Sequence, residues 1–232
     1  LVRLSLCLIP DQTTDPEREL ALAQRVLDLL PEGDPFRSFA ISAISYAHLS
    51  LQDVPMAGKT LEEYRDLSLA RWNYYGAVAA TFYLASLAYY QGQPRRAREI
   101  CHKEQARIAA AIADPEQELP AVGSLDVIQG CILLEENHLD EAERALLHGL
   151  ELIGGTNNPF YRMIACTALF RLREIQGREV EALQFLDDIE DAWPDIAFYT
   201  QGLRLTHLVP KDPQTLVQAD SWCRAFSSSI GE

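Results

Sequence analysis

The sequence feature that most constrains this chain is a helical hairpin that recurs along it. In residues 119–153, apolar residues follow helical spacing on both sides of a short polar break that contains Asn137. Asn tolerates the left-handed backbone conformation in which many helices end. Asp140 and Glu141 then place negative charge in the first turn of the next helix, where the helix dipole favours it. The stretch therefore predicts two antiparallel helices joined by a tight turn.

The same pattern appears when four segments are aligned on their turns. An alanine follows each turn by five residues, and an apolar or soft residue follows that alanine by four. Seven residues before the turn stands a small residue in three of the four segments. We expect Gly130 to face Ala142 and to let these two helices approach closely. The turn residues are Gln52, Gly92, Asn137 and Gly177, the alanines are Ala57, Ala97, Ala142 and Ala182, the residues beyond them are Leu61, Cys101, Leu146 and Leu186, and those before the turns are Ser45, Ala85, Gly130 and Phe170.

The length of the repeat predicts an α-solenoid. Successive turns lie about 40 to 45 residues apart, within the range of helical-hairpin repeats and above the roughly 34 residues of a tetratricopeptide repeat. A hairpin with a single apolar face cannot bury that face alone, so the hairpins must stack. We predict an all-α, right-handed superhelix of TPR-like antiparallel hairpins, with the four alanines buried where paired helices touch. Residues 1–232 are expected to form one such domain of about five to six hairpins.

Charge and cysteine content narrow the class of protein. The net charge of −14 argues against a surface that binds nucleic acid, because that requires Lys and Arg against phosphate. The five cysteines are odd in number and scattered along predicted helices, which indicates reduced core residues in a cytoplasmic protein. The chain begins at Leu1, without an initiator Met or a signal peptide, and is expected to be a fragment of a larger protein. Residues 1–9 are expected to be the remnant of a first helix and residues 113–118 a flexible acidic linker.

Two stretches of the sequence resemble functional motifs without matching them. The segment that ends in Gly58-Lys59-Thr60 resembles a phosphate-binding loop, but Asp53 replaces its first glycine and no strand precedes it. Residues 72–94 carry no charge and approach membrane-spanning length, yet their polar and small residues favour a buried solenoid helix. The histidines and cysteines lack metal-ligand spacing, and no catalytic constellation occurs. We therefore predict no enzyme activity, no metal and no cofactor.

Four motifs in the second half of the chain are distinctive. They are Leu119-Pro120-x-x-Gly123, Asn137-x-Leu139-Asp140-Glu141-Ala142-Glu143, Gly149-Leu150-x-Leu152, and Ala168-Leu169-x-Arg171 with Gln176-Gly177 and Glu181-Ala182. These motifs resemble the helical-repeat region of the large ATP-dependent LuxR-type transcriptional activators, the maltose-activator (MalT-like) family. The resemblance covers most of the chain and is weakest before residue 16 and after residue 195. It implies a right-handed superhelix that follows an ATPase module, precedes a helix-turn-helix domain, senses an inducer and supports self-association. This sequence contains neither flanking module, and the family offers no sensor motif from which ligand residues can be transferred.

Two functions fit these observations. The first is a non-catalytic ligand-sensing and oligomerisation domain of a cytoplasmic bacterial transcription regulator, which binds a small-molecule inducer and self-associates. The alternative is a TPR-like scaffold that binds a peptide or protein partner in its concave groove. Neither function involves direct contact with nucleic acid or with a membrane.

The first helix of each hairpin is expected to line the concave surface. Its groove-facing side chains are aromatic or hydroxylated early in the chain and ionic later. Aromatic faces suit a sugar ring or an apolar side chain, and two arginines suit bidentate binding of a carboxylate or phosphate. The alternative reading is that Tyr46 and Tyr89 belong to the core and that Arg171 pairs with Glu174 on a solvated face. The predicted ligand- or partner-binding residues are Tyr46, Phe82, Ser86, Tyr89, Thr167, Arg171, Glu174, Arg204 and His207.

Overall fold

The structure, a computed structural model, describes residues 15–112, 118–154, 159–208, 212 and 215–230. These residues form eleven α-helices and two short 3-10 helices, with no strand among them. The α-helices are α1 (Pro16–Leu29), α2 (Arg37–Ser50), α3 (Val54–Ala70), α4 (Tyr74–Tyr90), α5 (Pro94–Ala111), α6 (Gly123–Glu135), α7 (Leu139–Ile153), α8 (Pro159–Ile175), α9 (Glu179–Ala192), α10 (Ala197–Leu208) and α11 (Thr215–Ile230); the 3-10 helices are Pro120–Val122 and Pro194–Ile196. The all-α prediction is confirmed, whereas the expectations for residues 1–9 and 113–117 lie outside the described residues.

Five tight turns join consecutive helices, and all have the same geometry. The central residue of each has a positive φ, and the next residue donates its backbone N–H to the carbonyl five residues back, which is the Schellman pattern. The four predicted turn residues are confirmed as these central positions. The fifth turn, between α3 and α4, has Trp72 at its centre. The central φ angles are 57° at Gln52, 58° at Trp72, 74° at Gly92, 62° at Asn137 and 72° at Gly177.

The residue after each central position also begins the next helix. Asp53 accepts a hydrogen bond from the Met56 backbone N–H at 3.3 Å, and Asn73 accepts one from the Gly76 N–H at 3.1 Å. These side chains satisfy donors that the first turn of a helix leaves unpaired. At the α4–α5 turn, Pro94 occupies the first helical position, where its missing N–H has no consequence. Three residues therefore suffice to end one helix and begin the next.

The predicted contact positions of the hairpins are buried. The four alanines that follow the turns are fully buried, and so are the four residues one helical turn beyond them. Both predictions are confirmed, and the shared positions are Ala57, Ala97, Ala142 and Ala182, with Leu61, Cys101, Leu146 and Leu186.

The closest approach between two helices differs from the prediction. Gly130 lies against Leu146, since a Cβ added at Gly130 would stand 2.6 Å from Leu146 Cγ and 3.1 Å from the Leu146 backbone nitrogen. The tightest backbone contact of α6 and α7 is at Gly123 and Gly149. A Cβ added to either glycine would lie 2.6 Å from the carbonyl oxygen of the other. A hydrogen in place of a side chain is what lets these two backbones touch.

The chain divides into two compact units, residues 1–168 (unit 1) and 169–232 (unit 2). In unit 1 each helix packs on its neighbour in sequence from α1 to α5, and α6 packs on α4, α5 and α7. Contact between α4 and α6, the first helices of successive hairpins, is the stacking that a helical repeat requires. The handedness of a superhelix and the assignment of all residues to one domain remain predictions.

In unit 2, the side chain of Trp222 links the last two helices. The Trp222 indole on α11 stacks on Phe198 of α10, with ring centroids 5.3 Å apart, and donates a hydrogen bond to the Phe198 carbonyl at 2.8 Å. Gly202 leaves room for this ring, because a Cβ there would meet Trp222.

The uncharged stretch forms α4, and twelve of its residues are buried against other helices. Within the described residues, no helix combines the length and the apolar character needed to cross a membrane.

Candidate functional site

The early positions of the predicted groove converge on an aromatic cluster in unit 1. Phe82 on α4 is 2% exposed, and its ring lies 4.9 Å from that of Tyr161 and 6.2 Å from that of Phe160, both on α8. Tyr46 on α2 meets Tyr83 edge to face at 5.3 Å. The predicted residues Tyr46 and Phe82 are thus brought together, but the chain's own rings cover Phe82, so it offers no open face.

Burial keeps the phenols of this cluster neutral. Loss of solvation raises the pKa of Tyr46, Tyr83 and Tyr161 above the ordinary range of tyrosine, and the neighbouring phenols raise it further. A neutral phenol donates and accepts hydrogen bonds but carries no charge for an ionic ligand. The cluster therefore acts as part of the core.

Ser86 and Tyr89 differ in accessibility. Ser86 is buried, and its hydroxyl donates to the Phe82 carbonyl at 2.8 Å, so the prediction that Ser86 faces an open groove differs from the structure. Tyr89 is half-buried beside Tyr90, with ring centroids 5.8 Å apart. Burial, together with the charges of Glu135 and Glu136, raises the pKa of Tyr89 to about 12. Tyr89, like Tyr46, is an early groove residue that keeps part of its surface exposed.

The later predicted positions in unit 2 form an ionic group. His207, which is buried, lies with Nδ1 2.5 Å from Glu174 Oε1, and its ring is 6.0 Å from that of Phe170. Phe170 stands where the other hairpins have a small residue, and its ring packs against a histidine from α10. Glu174 therefore pairs with His207. The alternative pairing of Glu174 with Arg171 is absent from the described ion pairs.

Arg171 and Arg204 have different surroundings. Arg204 on α10 lies with Nη2 2.6 Å from Asp187 Oδ1 and 3.3 Å from Glu190 Oε1, and Thr200 donates its hydroxyl to Glu190. These contacts join α10 to α9 and neutralise the guanidinium. Arg204 is therefore not available for the predicted anion site that it was expected to form with Arg171. Arg171 on α8 is half-buried and forms no ion pair with any described residue.

The remaining predicted residue, Thr167, is buried near the end of unit 1. It precedes Arg171 by one helical turn on α8. Its side chain is therefore part of the packed face of that helix.

The sequence analysis did not predict a polar network that lies in unit 1. Asp126 on α6 accepts a hydrogen bond from Gln105 Nε2 at 2.7 Å and lies 3.1 Å from His148 Nδ1, while His148 Nε2 lies 3.3 Å from Glu118. Burial raises the pKa of Asp126, and the contacts with Gln105 and His148 oppose that rise. The available signal was the position of Asp126 and Gln129 in a helix that is otherwise apolar. The network joins α5, α6 and α7.

Four cysteines lie among the described residues. Cys101, Cys131 and Cys166 are buried, as expected for core residues, and Cys223 is exposed. Burial raises the pKa of Cys101 and Cys131 to about 12, which keeps these thiols protonated and poorly nucleophilic at neutral pH. Among the described residues, no group of three or more His, Cys, Asp or Glu side chains is arranged to hold a metal ion.

These features define an all-α array of tetratricopeptide-like helical hairpins. The family model described as the MalT-like TPR region matches residues 8–222, so the chain belongs to this family. The suspected resemblance is thereby confirmed. The search of curated proteins finds no match.

Two solved structures are similar in part. Both come from Podosopora anserina and are described as a kinesin light chain with nearly identical TPR-like repeats. The first, a variant form, is 18% identical, with 76% of this chain and 86% of that chain covered and a TM-score of 0.49. The second is 17% identical, with 78% and 89% covered and a TM-score of 0.48.

Proposed function

We propose that the chain is a non-catalytic ligand-sensing and self-association region of a cytoplasmic bacterial transcription regulator of the MalT-like LuxR type. The observation that carries this proposal is membership of the MalT-like TPR family over residues 8–222. The resemblance to the large activators implies that such repeats respond to a small-molecule inducer.

We infer that the sensing face lies around Arg171 in unit 2. Arg171 is half-buried and lacks an ion pair within the described part of the chain, so its guanidinium can donate two hydrogen bonds to a carboxylate or phosphate. Glu174 lies three residues further along α8 and is therefore on a neighbouring part of the helix surface, where it contacts His207. One available cation beside an acid–histidine pair suits a small ligand with an anionic group and hydroxyls.

Thermal-shift screening against sugars, sugar phosphates and carboxylates tests the proposal. A ligand that binds only the folded state raises the melting temperature as its concentration rises. Arg171→Ala should remove the shift, whereas Arg95→Ala, at an exposed arginine of α5, should keep it. A folded Arg171→Ala variant with an unchanged shift would contradict this placement.

The scaffold function remains a second candidate because aromatic side chains are exposed at one end of α2 and α3. Trp72 is 75% exposed, and Phe36 and Phe39 are 64% and 65% exposed. Arg71 donates to the Pro35 carbonyl at 3.1 Å, which holds the loop before Phe36 beside the end of α3. Exposed tryptophan is typical of binding hot spots.

Partner capture with two variants separates the two functions. Loss of a bound protein or peptide in Trp72→Asn, with binding retained in Arg171→Ala, would favour the scaffold. The opposite pattern with a small molecule would favour the sensor.

A further inference from the structure

A pocket of about 550 Å³ lies between α1, α2 and α3 of unit 1. Its floor is apolar and consists of Ile41 and Ile44, both of which are buried. Leu20 and Leu27 of α1 and Met56 of α3 form its sides. The volume falls within the roughly 300–1,000 Å³ of small-molecule sites. None of the predicted groove residues lines this pocket.

A histidine without a hydrogen-bond partner also lines the pocket. The His48 side chain is 10% exposed, and Nδ1 forms no hydrogen bond within the described residues. The nearest carboxylate oxygen, Asp53 Oδ2, lies 3.6 Å away, beyond hydrogen-bond distance. A buried polar atom without a partner loses free energy relative to its hydrated state. Nδ1 is itself closed off from solvent and faces Asp53, so His48 lines the pocket with the rest of its ring.

Charges of both signs surround the apolar floor. Lys59 and Glu63 on α3 and Glu17 on α1 line the pocket, and none of the three forms an ion pair with a described residue. Lys59 and Glu63 are four residues apart on one helix and still do not pair. The pocket rim therefore offers one cation and two anions to a ligand.

We propose that this pocket binds a short apolar peptide with free termini, a zwitterion whose side chains occupy the apolar floor. The peptide carboxylate pairs with Lys59, and its ammonium group pairs with Glu17 or Glu63. A simple anion would meet the two glutamates, and a wholly apolar ligand would leave Lys59 and both glutamates unpaired. This site is separate from the sensing face around Arg171 and does not depend on it.

Titration of the chain with L-leucyl-L-leucine tests the ligand class, with the N-acetylated, C-amidated dipeptide as the matched uncharged probe. The imidazole nitrogen signals of His48, assigned with a His48→Gln variant, report occupancy of the pocket. We expect these signals to shift with the free dipeptide and the capped form to bind about fivefold more weakly, as the loss of exposed ion pairs implies. Equal affinity for both probes, or no binding of the free dipeptide, would overturn the proposal.

Variants at exposed positions test the location without disturbing the core. Ala21→Trp places a large ring from α1 into the pocket, and Ala109→Trp makes the same change on an exposed face of α5. Lys59→Gln, which removes one of the two ion pairs, should weaken dipeptide binding about twofold, and Lys103→Gln should leave it unchanged. Binding that survives in a folded Ala21→Trp variant would overturn this site.

The two proposals can fail separately. If dileucine binding is lost in Ala21→Trp but not in Arg171→Ala, this pocket is correct whatever the metabolite screen shows. If a metabolite binds through Arg171 while dileucine does not bind at all, the sensing face stands and the pocket proposal is wrong.

Discussion

The contact between Gly123 and Gly149 predicts how Gly149→Ala changes the stability of the chain. The packing decides whether this substitution stabilises or destabilises. In an open helix, Gly→Ala stabilises by about 1 kcal/mol through helix propensity. At Gly149 the new Cβ would lie 2.6 Å from the Gly123 carbonyl oxygen and 3.1 Å from the Val127 backbone nitrogen. Ordinary contact begins near 3.4 Å, so α6 and α7 would have to separate by several tenths of an ångström.

The magnitude follows from the two opposing terms. Overpacking a tight contact costs about 1–3 kcal/mol, and the upper part of that range applies because backbone atoms cannot rotate away. Subtracting the propensity gain leaves Gly149→Ala destabilised by about 1–2 kcal/mol. For a chain of this length that lowers the melting temperature by roughly 2–8 °C.

Gly58 provides the matched control. It lies inside α3, and an added Cβ would meet no atom within 4 Å. Gly58→Ala should therefore raise the melting temperature by roughly 2–4 °C. Far-UV circular dichroism during heating measures both variants. A Gly149→Ala protein as stable as the original, or two variants that change in the same direction, would refute the packing described for α6 and α7.

Three further predictions concern the core, a turn and a buried acid. Ala142→Phe should destabilise the chain by about 1–3 kcal/mol because Ala142 is fully buried, while the exposed change Glu62→Gln should do little; equal melting temperatures would contradict the register of the hairpins. Trp72→Asn should leave stability unchanged or raise it by up to about 1 kcal/mol, because Asn tolerates a φ of 58° better than Trp does, and a clear loss in chemical denaturation would show that the indole supports the fold. Burial raises the pKa of Glu104, so the folded state holds its proton more strongly than the unfolded state, and stability falls as the pH rises from the unfolded pKa towards the folded one. Glu104→Gln should therefore be more stable than the original protein at neutral pH and lose this advantage in acid. Urea denaturation at both pH values measures the difference in free energy of unfolding between the two proteins. The same difference at both pH values would contradict a raised pKa of Glu104.

Local sequence signals were enough to predict the hairpins and most of their turns. Gly92, Asn137 and Gly177 adopt the left-handed conformation with little strain, so their positions could be predicted from residue type and spacing. Trp72 occupies the same conformation without any such signal, and the sequence analysis treated it only as part of an uncharged stretch. A bulky residue at positive φ is uncommon, and the surrounding Schellman hydrogen bonds are what hold it there.

Contacts between helices were harder to predict. The expectation that Gly130 faces Ala142 used distance from the turn, but the three atoms nearest to a Cβ at Gly130 all belong to Leu146. The Gly123–Gly149 contact spans 26 residues and depends on the crossing of two helices, which no local spacing encodes.

The candidate site was predicted least well for the same reason. The groove prediction placed Phe82 correctly on the first helix of its hairpin, but the rings that cover it come from α8, a helix far along the chain. Arg204 looked available in sequence, yet Asp187 and Glu190 of the neighbouring helix neutralise it. The binding role of Arg171 stays a prediction; the structure shows only that Arg171 forms no ion pair with a described residue.

The central claim is that this repeat region senses a small molecule. Calorimetric titration of the best metabolite from the screen into the original chain and into Arg171→Ala tests it most directly. The proposal predicts saturable binding to the original chain and binding to Arg171→Ala weakened at least several-fold, with helicity unchanged by circular dichroism. The same binding isotherm for both proteins, or no saturable binding of any metabolite to the original chain, would contradict it.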